Sequence, residues 1–242
     1  MKPVLLVRND RVGTFGLAIS ALEAAGVDLR IVDATRPGES LPDLGEVSAV
    51  VMFGGTANAD QVHEHPFLLH DRELTREAVN REVPYLGICL GAQILARALD
   101  RPVVKARKRE VGFEPVHPTA AASEDPLLSV FGDGDRVFHW HEDTFELPPG
   151  ATLLATGEHV PLQAHRVGDL AWGIQWHLEI DGAELELWLD EADALMDLKA
   201  VWGKSSDEIR VEAKEHLAAH EEKGREVFRR FATVVRGSRT SG

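Results

Sequence analysis

The chain has a single cysteine, Cys89, in 242 residues. No intramolecular disulfide framework can form, and a lone thiol suits a reducing cytosol. Basic residues are scarce as well, with 26 Lys and Arg against 40 Asp and Glu and a formal net charge of −14. Nucleic acid and anionic membrane both require a basic surface, so the charge balance argues against either partner. Long apolar runs are missing. Met1-Lys2-Pro3-Val4-Leu5-Leu6-Val7 gives way at once to Arg8, Asn9 and Asp10, too short an apolar stretch for a signal peptide or a membrane span. These absences predict a cytoplasmic protein. There is also no internal repeat and no Gly-x4-Gly-Lys-Ser/Thr phosphate loop.

What is present is an alternation of short apolar runs and amphipathic stretches. Strands are predicted at 4–7, 29–32, 47–53 and 83–88, and helices at 14–25, 66–81 and 90–99, with Gly26 stopping the first helix. Alternation at this spacing predicts parallel βαβ units. The expected fold is α/β, an open, mostly parallel sheet flanked by helices. Beyond residue 100, short strand candidates at 102–105, 113–115, 136–140, 152–155, 162–167 and 171–176 are divided by Gly, Pro and Asp turns. They predict an antiparallel elaboration of the same domain, since no linker separates the halves. Residues 182–198 return to helical spacing. Residues 205–236 are highly charged but keep Ile209, Ala213, Leu217, Val227, Phe228 and Phe231, which predicts an amphipathic helix with Gly224 as a candidate break. The expected organisation is a domain over 1–200, a helical extension packed on it over 201–236, and a disordered tail over 237–242.

The chemistry centres on Pro84-Tyr85-Leu86-Gly87-Ile88-Cys89-Leu90-Gly91-Ala92-Gln93. Gly-x-Cys-x-Gly between a strand and a helix has the spacing of a nucleophile elbow, whose tight turn tolerates only small flanking residues. The helix N-terminus favours a thiolate and leaves backbone N–H groups free to hold an oxyanion. Such a thiol needs a base and a group to orient that base. Of eleven histidines, His177 has the persuasive setting. It ends the apolar strand Ala171-Trp172-Gly173-Ile174-Gln175-Trp176, and Glu179 follows at i+2, on the same side of an extended chain.

Together, Gly87-Ile88-Cys89-Leu90-Gly91-Ala92-Gln93 and Gly173-Ile174-Gln175-Trp176-His177-Leu178-Glu179 resemble the two signature segments of class I (triad) glutamine amidotransferases. Val51-Met52-Phe53-Gly54-Gly55 matches that family's oxyanion strand. Arg109-Glu110-Val111-Gly112 matches its Glu-x-Gly segment, and Phe138–Asp143 its His-x-Asp segment. The similarity spans nearly the whole chain, and it is nearest to free-standing members resembling the amidotransferase domain of GMP synthase. The resemblance implies a flavodoxin-like sheet. It also implies that Cys89 attacks a γ-glutamyl amide to form a thioester, that His177 is base and then acid, and that Glu179 orients it. Gly55 and Leu90 would supply the oxyanion hole, Gln93 would help to position the substrate, and backbone around His139 and Trp140 would bind its α-amino and carboxylate groups. No metal or organic cofactor is implied. Leu178 stands where the family usually has proline, which relaxes the local backbone without removing a catalytic group.

The expected substrate is glutamine or a γ-glutamyl compound, with ammonia passed to a separate synthetase or simply released. The alternatives are a peptidase-like cysteine hydrolase and a partner-dependent regulatory subunit. His63-x-His65 and His139-x-His141 have no cysteine or carboxylate at zinc-like spacing, so hydrogen-bonding roles are expected. His141 with Asp143 is expected in a turn beside the site. Lys105–Arg109 reads as a solvated basic loop with some capacity to attract an anion.

Overall fold

The structure, a computed structural model, describes residues 2–238. The N-terminal part lays down β1 (Val4–Arg8), α1 (Ala18–Ala24), β2 (Leu29–Asp33), β3 (Ala49–Met52), α2 (Phe67–Asn80), β4 (Tyr85–Ile88) and α3 (Leu90–Ala98). β5 (Val103–Pro118), β6 (Asp135–Phe145), β7 (Thr152–Gly157), β8 (Ala164–Val167) and β9 (Ala171–Ile174) follow, and then α4 (Gly182–Leu195), α5 (Leu198–Trp202) and α6 (Ser206–Gly237). All nine strands share one sheet in the order β2-β1-β3-β4-β9-β8-β7-β5-β6. β2, β1, β3, β4 and β9 run parallel, and the pairs from β9 outward to β6 are antiparallel. The parallel half has the doubly wound order in which sites form beyond the carboxyl ends of strands.

β1, β3, β4 and β9 are buried along almost their whole length, which is why they read as continuous apolar runs rather than alternations. One face of the sheet is covered by α1 and α6, whose Ala18, Leu22, Phe228 and Phe231 meet Leu6, Val51 and Trp172. α2 and α3 cover the other face through Leu68, Leu74, Ile94 and Leu95. A third cluster joins β5 and β6 to α4–α6 through Phe113, Phe138, Leu185, Leu189 and Ile209.

Three local expectations change. The first helix starts at Ala18 rather than near residue 14, because the Thr14 N–H donates to Glu184 and the Leu17 N–H donates to the Glu179 carbonyl. Phe15 and Gly16 take positive φ to make that detour. The two short strands expected at 102–105 and 113–115 are one strand, β5, with a register shift between Lys105 and Glu110. α6 runs unbroken through Gly224, where a Cβ would stand 2.3 Å from the Leu178 carbonyl oxygen. That glycine permits a close approach of helix to strand end. Gly237 closes α6 and Ser238 is its C-cap, so the tail expected over 237–242 falls, from residue 239 on, outside the described residues. No helix among the described residues is long and apolar enough to cross a membrane.

Candidate active site

β4 delivers Cys89 to the carboxyl end of the parallel strands as the N-cap of α3, with φ +50° and ψ −106°. A non-glycine residue held there costs on the order of 1–3 kcal/mol and persists only when its surroundings over-determine it. The surroundings do so. The Cys89 N–H donates to the Ile174 carbonyl at 2.8 Å. A Cβ at Gly87 would stand 2.4 Å from the Gly91 carbonyl oxygen, and one at Gly91 would stand 2.1 Å from that of Met52. Both flanking glycines are therefore required by space, as the elbow spacing predicts.

His177 and Glu179 lie just beyond β9, the neighbour of β4. The His177 N–H donates to the Phe138 carbonyl, which locks the segment to β6. His177 Nδ1 lies 2.8 Å from Glu179 Oε1, and both side chains are buried. Burial works to lower the pKa of His177, but the charges of Cys89 and Glu179 beside it outweigh that and hold it well above the ordinary imidazole value. A proton bound to Nδ1 toward Glu179 leaves Nε2 for the sulfur side. Gly54 makes room for this arrangement, since a Cβ there would come within 2.8 Å of His177 Cε1 and 3.4 Å of Cys89 Cβ. At Gly55 a Cβ would stand 2.4 Å from the Asn9 carbonyl oxygen. Leu90 is the first residue of α3, where backbone N–H groups lack an intrahelical acceptor.

One cavity of about 500 Å³ is lined by Cys89, His177, Glu179, Gly55, Leu90, Gln93 and Trp140. His139 is not in its wall. Its ring is fully buried, with Nδ1 3.3 Å from His141 Nε2 and 3.6 Å from Glu110 Oε2. His141 Nε2 in turn lies 2.9 Å from Glu110 Oε2. The carboxylate absent from local sequence spacing thus arrives from another strand, because the β5–β6 register sets Glu110 opposite His141. Among the described residues, Glu110, His139 and His141 are the one group of such side chains close enough to hold a metal ion. Protein partners already serve part of it, with Gln163 Nε2 donating to Glu110 Oε2 at 2.8 Å and His141 Nδ1 lying 3.1 Å from the Asp143 carbonyl oxygen. His139 is held well below the ordinary imidazole pKa, by burial first and by the neighbouring His141 second. His141 and Asp143 belong to β6 and form no turn. The Lys105–Arg109 stretch is partly spent in ion pairs, Lys105 with Glu142 and Asp143, and Arg109 with Glu142.

Gln93 is buried, and its Nε2 faces Gln175 Oε1 at 3.3 Å and the Asp143 carbonyl at 3.5 Å. Gln175 Nε2 then donates to Cys89 Sγ at 3.6 Å. Gln93 is therefore linked to the sulfur through a second amide. Gln175 sat in the sequence motif, but nothing in its spacing distinguished it chemically. Trp188 and Trp202 were also missed. Trp188 falls on the apolar stripe of a predicted helix, where an indole reads as core. In the structure it lines the cavity, its ring 4.8 Å from the His177 ring at 88°.

The profile of the family glutamine amidotransferase class-I matches residues 14–187. The chain is 34% identical over 146 residues to the glutamine amidotransferase-like protein YfeJ of Salmonella typhimurium, covering 59% of this chain and 61% of that one. It is 31% identical over 166 residues to a glutamine-hydrolyzing GMP synthase subunit of Haloarcula marismortui, covering 68% and 79%. Full-length GMP synthase of Porphyromonas gingivalis is spanned over only 28% of its length. A crystal structure of a glutamine amidotransferase from Thermotoga maritima superposes with a TM-score of 0.84 at 28% identity, over 95% of this chain and 97% of that one. The profile match covers Cys89, the glycines Gly54 and Gly55 and the His177–Glu179 segment alike, and the chain belongs to the class I glutamine amidotransferase family.

Proposed function

We propose that the protein hydrolyses a γ-glutamyl amide, either glutamine or a γ-glutamyl compound, through a thioester on Cys89. The observation that carries this reading is a strained cysteine at a helix N-terminus, sharing one cavity with a His177–Glu179 pair whose proton is held on the imidazole. The sulfur attacks the side-chain carbonyl carbon, and the resulting oxyanion is met by the Gly55 and Leu90 N–H groups. Losing one such donor costs roughly 3–4 kcal/mol of transition-state stabilisation in comparable sites. The C–N bond then breaks, and the leaving nitrogen takes its proton from His177. Water, deprotonated by the now neutral His177, attacks the thioester carbonyl. Glutamate leaves, and the proton returns to the sulfur side. No metal or organic cofactor enters these steps.

The backbone around His139 and Trp140 would hold the α-amino and carboxylate groups of the substrate, leaving the Trp140 ring free of that role. The relatives named as glutamine-hydrolyzing subunits of GMP synthase support a version in which ammonia passes to a separate synthetase. The lone free thiol suits the cytosol as the place of action. The purified protein should be labelled at Cys89 by diazo-oxo-norleucine, read as a mass increment on the peptide that contains it, and should release glutamate from glutamine or a γ-glutamyl amide. Cys89→Ala should abolish both. Cys89-dependent cleavage of ordinary peptide bonds without γ-glutamyl preference, or no labelling with or without candidate synthetases, would overturn the proposal.

A further inference from the structure

Ammonia needs no binding surface beyond the acid that protonates it, yet the cavity extends well past His177. Trp188 stands edge-on to the His177 ring with centroids 4.8 Å apart, Trp140 lies 6.1 Å from Trp188, and Trp202 lies 6.0 Å from Trp140. All three indoles line the cavity and remain half-buried. They come from three separate elements, α4, β6 and α5, and form a continuous track leading away from the imidazole.

The track is held rigid. Trp188 Nε1 donates to Glu184 Oε1 at 2.9 Å, and that carboxylate also accepts from the Thr14 N–H and the Thr14 hydroxyl. Trp202 is covered by the Arg109 guanidinium, 5.5 Å from its ring centroid. Arg109 is itself fixed by Glu142 and by the Val201 carbonyl oxygen. Fixed aromatic walls bind flat apolar groups with little ordering cost.

The hydrolytic mechanism proposed above decides which part of a substrate this track faces. The leaving nitrogen must meet His177 to take its proton, so any substituent on that nitrogen starts where the track starts. We propose that the preferred substrate is a γ-glutamyl amide whose leaving amine carries an aromatic group, seated along Trp188, Trp140 and Trp202. This rests on the γ-glutamyl hydrolase reading and specifies its leaving group. The chemistry stays balanced: the amide C–N bond is exchanged for a thioester, the amine departs with the proton from His177, and water releases glutamate.

The test compares γ-glutamyl-phenethylamide with γ-glutamyl-ethylamide and glutamine on the full chain. The two N-alkyl amides have leaving amines of similar basicity and differ in the phenyl group. Hydrophobic discrimination in a formed pocket reaches roughly 10–200-fold. The phenethylamide should therefore exceed the ethylamide at least about 10-fold in kcat/KM, and Trp202→Ala should collapse that ratio while Trp202→Phe keeps most of it. In parallel, calorimetry on Cys89→Ala should find the phenethylamide bound at least about 10-fold more tightly than the ethylamide. Turnover of all three compounds with no phenyl preference overturns the aromatic track and leaves the hydrolase reading standing. Absence of any Cys89-dependent turnover overturns the hydrolase reading, and the binding ratio then still decides whether the track exists.

Discussion

Replacing Glu179 by Gln tests whether the protonation of His177 is set by its partner. The His177 Nδ1–Glu179 Oε1 contact is 2.8 Å and both side chains are 4% exposed, so solvent screens the pair little. Unit charges about 4 Å apart at an effective dielectric of about 20 interact by about 4 kcal/mol. That is an upper figure, because the Cys89 charge also acts on the ring. The alkaline limb of kcat/KM should therefore move toward acid in Glu179→Gln. The sign follows from the raised pKa: the imidazolium is present below it and is lost as pH rises through it. The same ordering means that the pair stabilises the fold fully below the unfolded-state histidine pKa and progressively less as pH climbs through the folded one. Loss of the orienting group should also lower kcat/KM at neutral pH by roughly 10²–10⁴-fold. The assay is glutamate release from glutamine or a γ-glutamyl amide across about pH 5–10, with alkylation of Cys89 followed over the same range. An alkaline limb that overlays the unsubstituted protein would refute the assignment of that ionisation to a Glu179-coupled His177.

Further substitutions probe the surroundings. Gly54→Ala places a methyl group 2.8 Å from His177 Cε1 and should cost about 10²-fold or more in kcat/KM through displacement of the ring, with the thermal midpoint little changed. Gly224→Ala forces α6 away from the Leu178 carbonyl and should lower stability by about 1–3 kcal/mol in denaturant titration, with activity falling because the adjacent His177 and Glu179 move. Asp71 is buried in α2, and burial lifts its pKa from 3.8 to about 8, so ionising the unfolded chain between those values works against folding. Asp71→Asn should therefore raise stability at pH 7, by up to about 4 kcal/mol, and lose that advantage below about pH 4. Equal effects of Asp71→Asn at both pH values would show that the carboxyl does not carry the penalty.

The strand-to-helix elbow at Cys89 was legible because its constraints are local. A strand-to-helix turn that tight needs Gly87 and Gly91 whatever surrounds it. The two-residue spacing marks the pairing of His177 with Glu179, although β9 ends at Ile174 and a turn at 178–179, not extended chain, brings them together. The parallel half of the sheet was legible for the same reason, since buried parallel strands are simply apolar runs. What depended on partners far along the chain was not. Glu110 meets His141 only through the β5–β6 register, and the start of α1 is set by hydrogen bonds to Glu179 and Glu184. Gly224 looked like a helix breaker because its neighbour, the Leu178 carbonyl, cannot be read from residues nearby in sequence.

The sequence by itself determined the elbow and the pairing of histidine with glutamate, through spacings of two residues that backbone geometry converts directly into tight turns. Only the tertiary structure decided what stands around the sulfur. Gln175 beneath it, the buried Glu110–His139–His141 group, and the three indoles leading away from His177 are each assembled from strands and helices tens of residues apart. Packing, unlike periodicity, leaves no local mark: an indole on an apolar stripe looks the same whether it fills a core or lines a cavity.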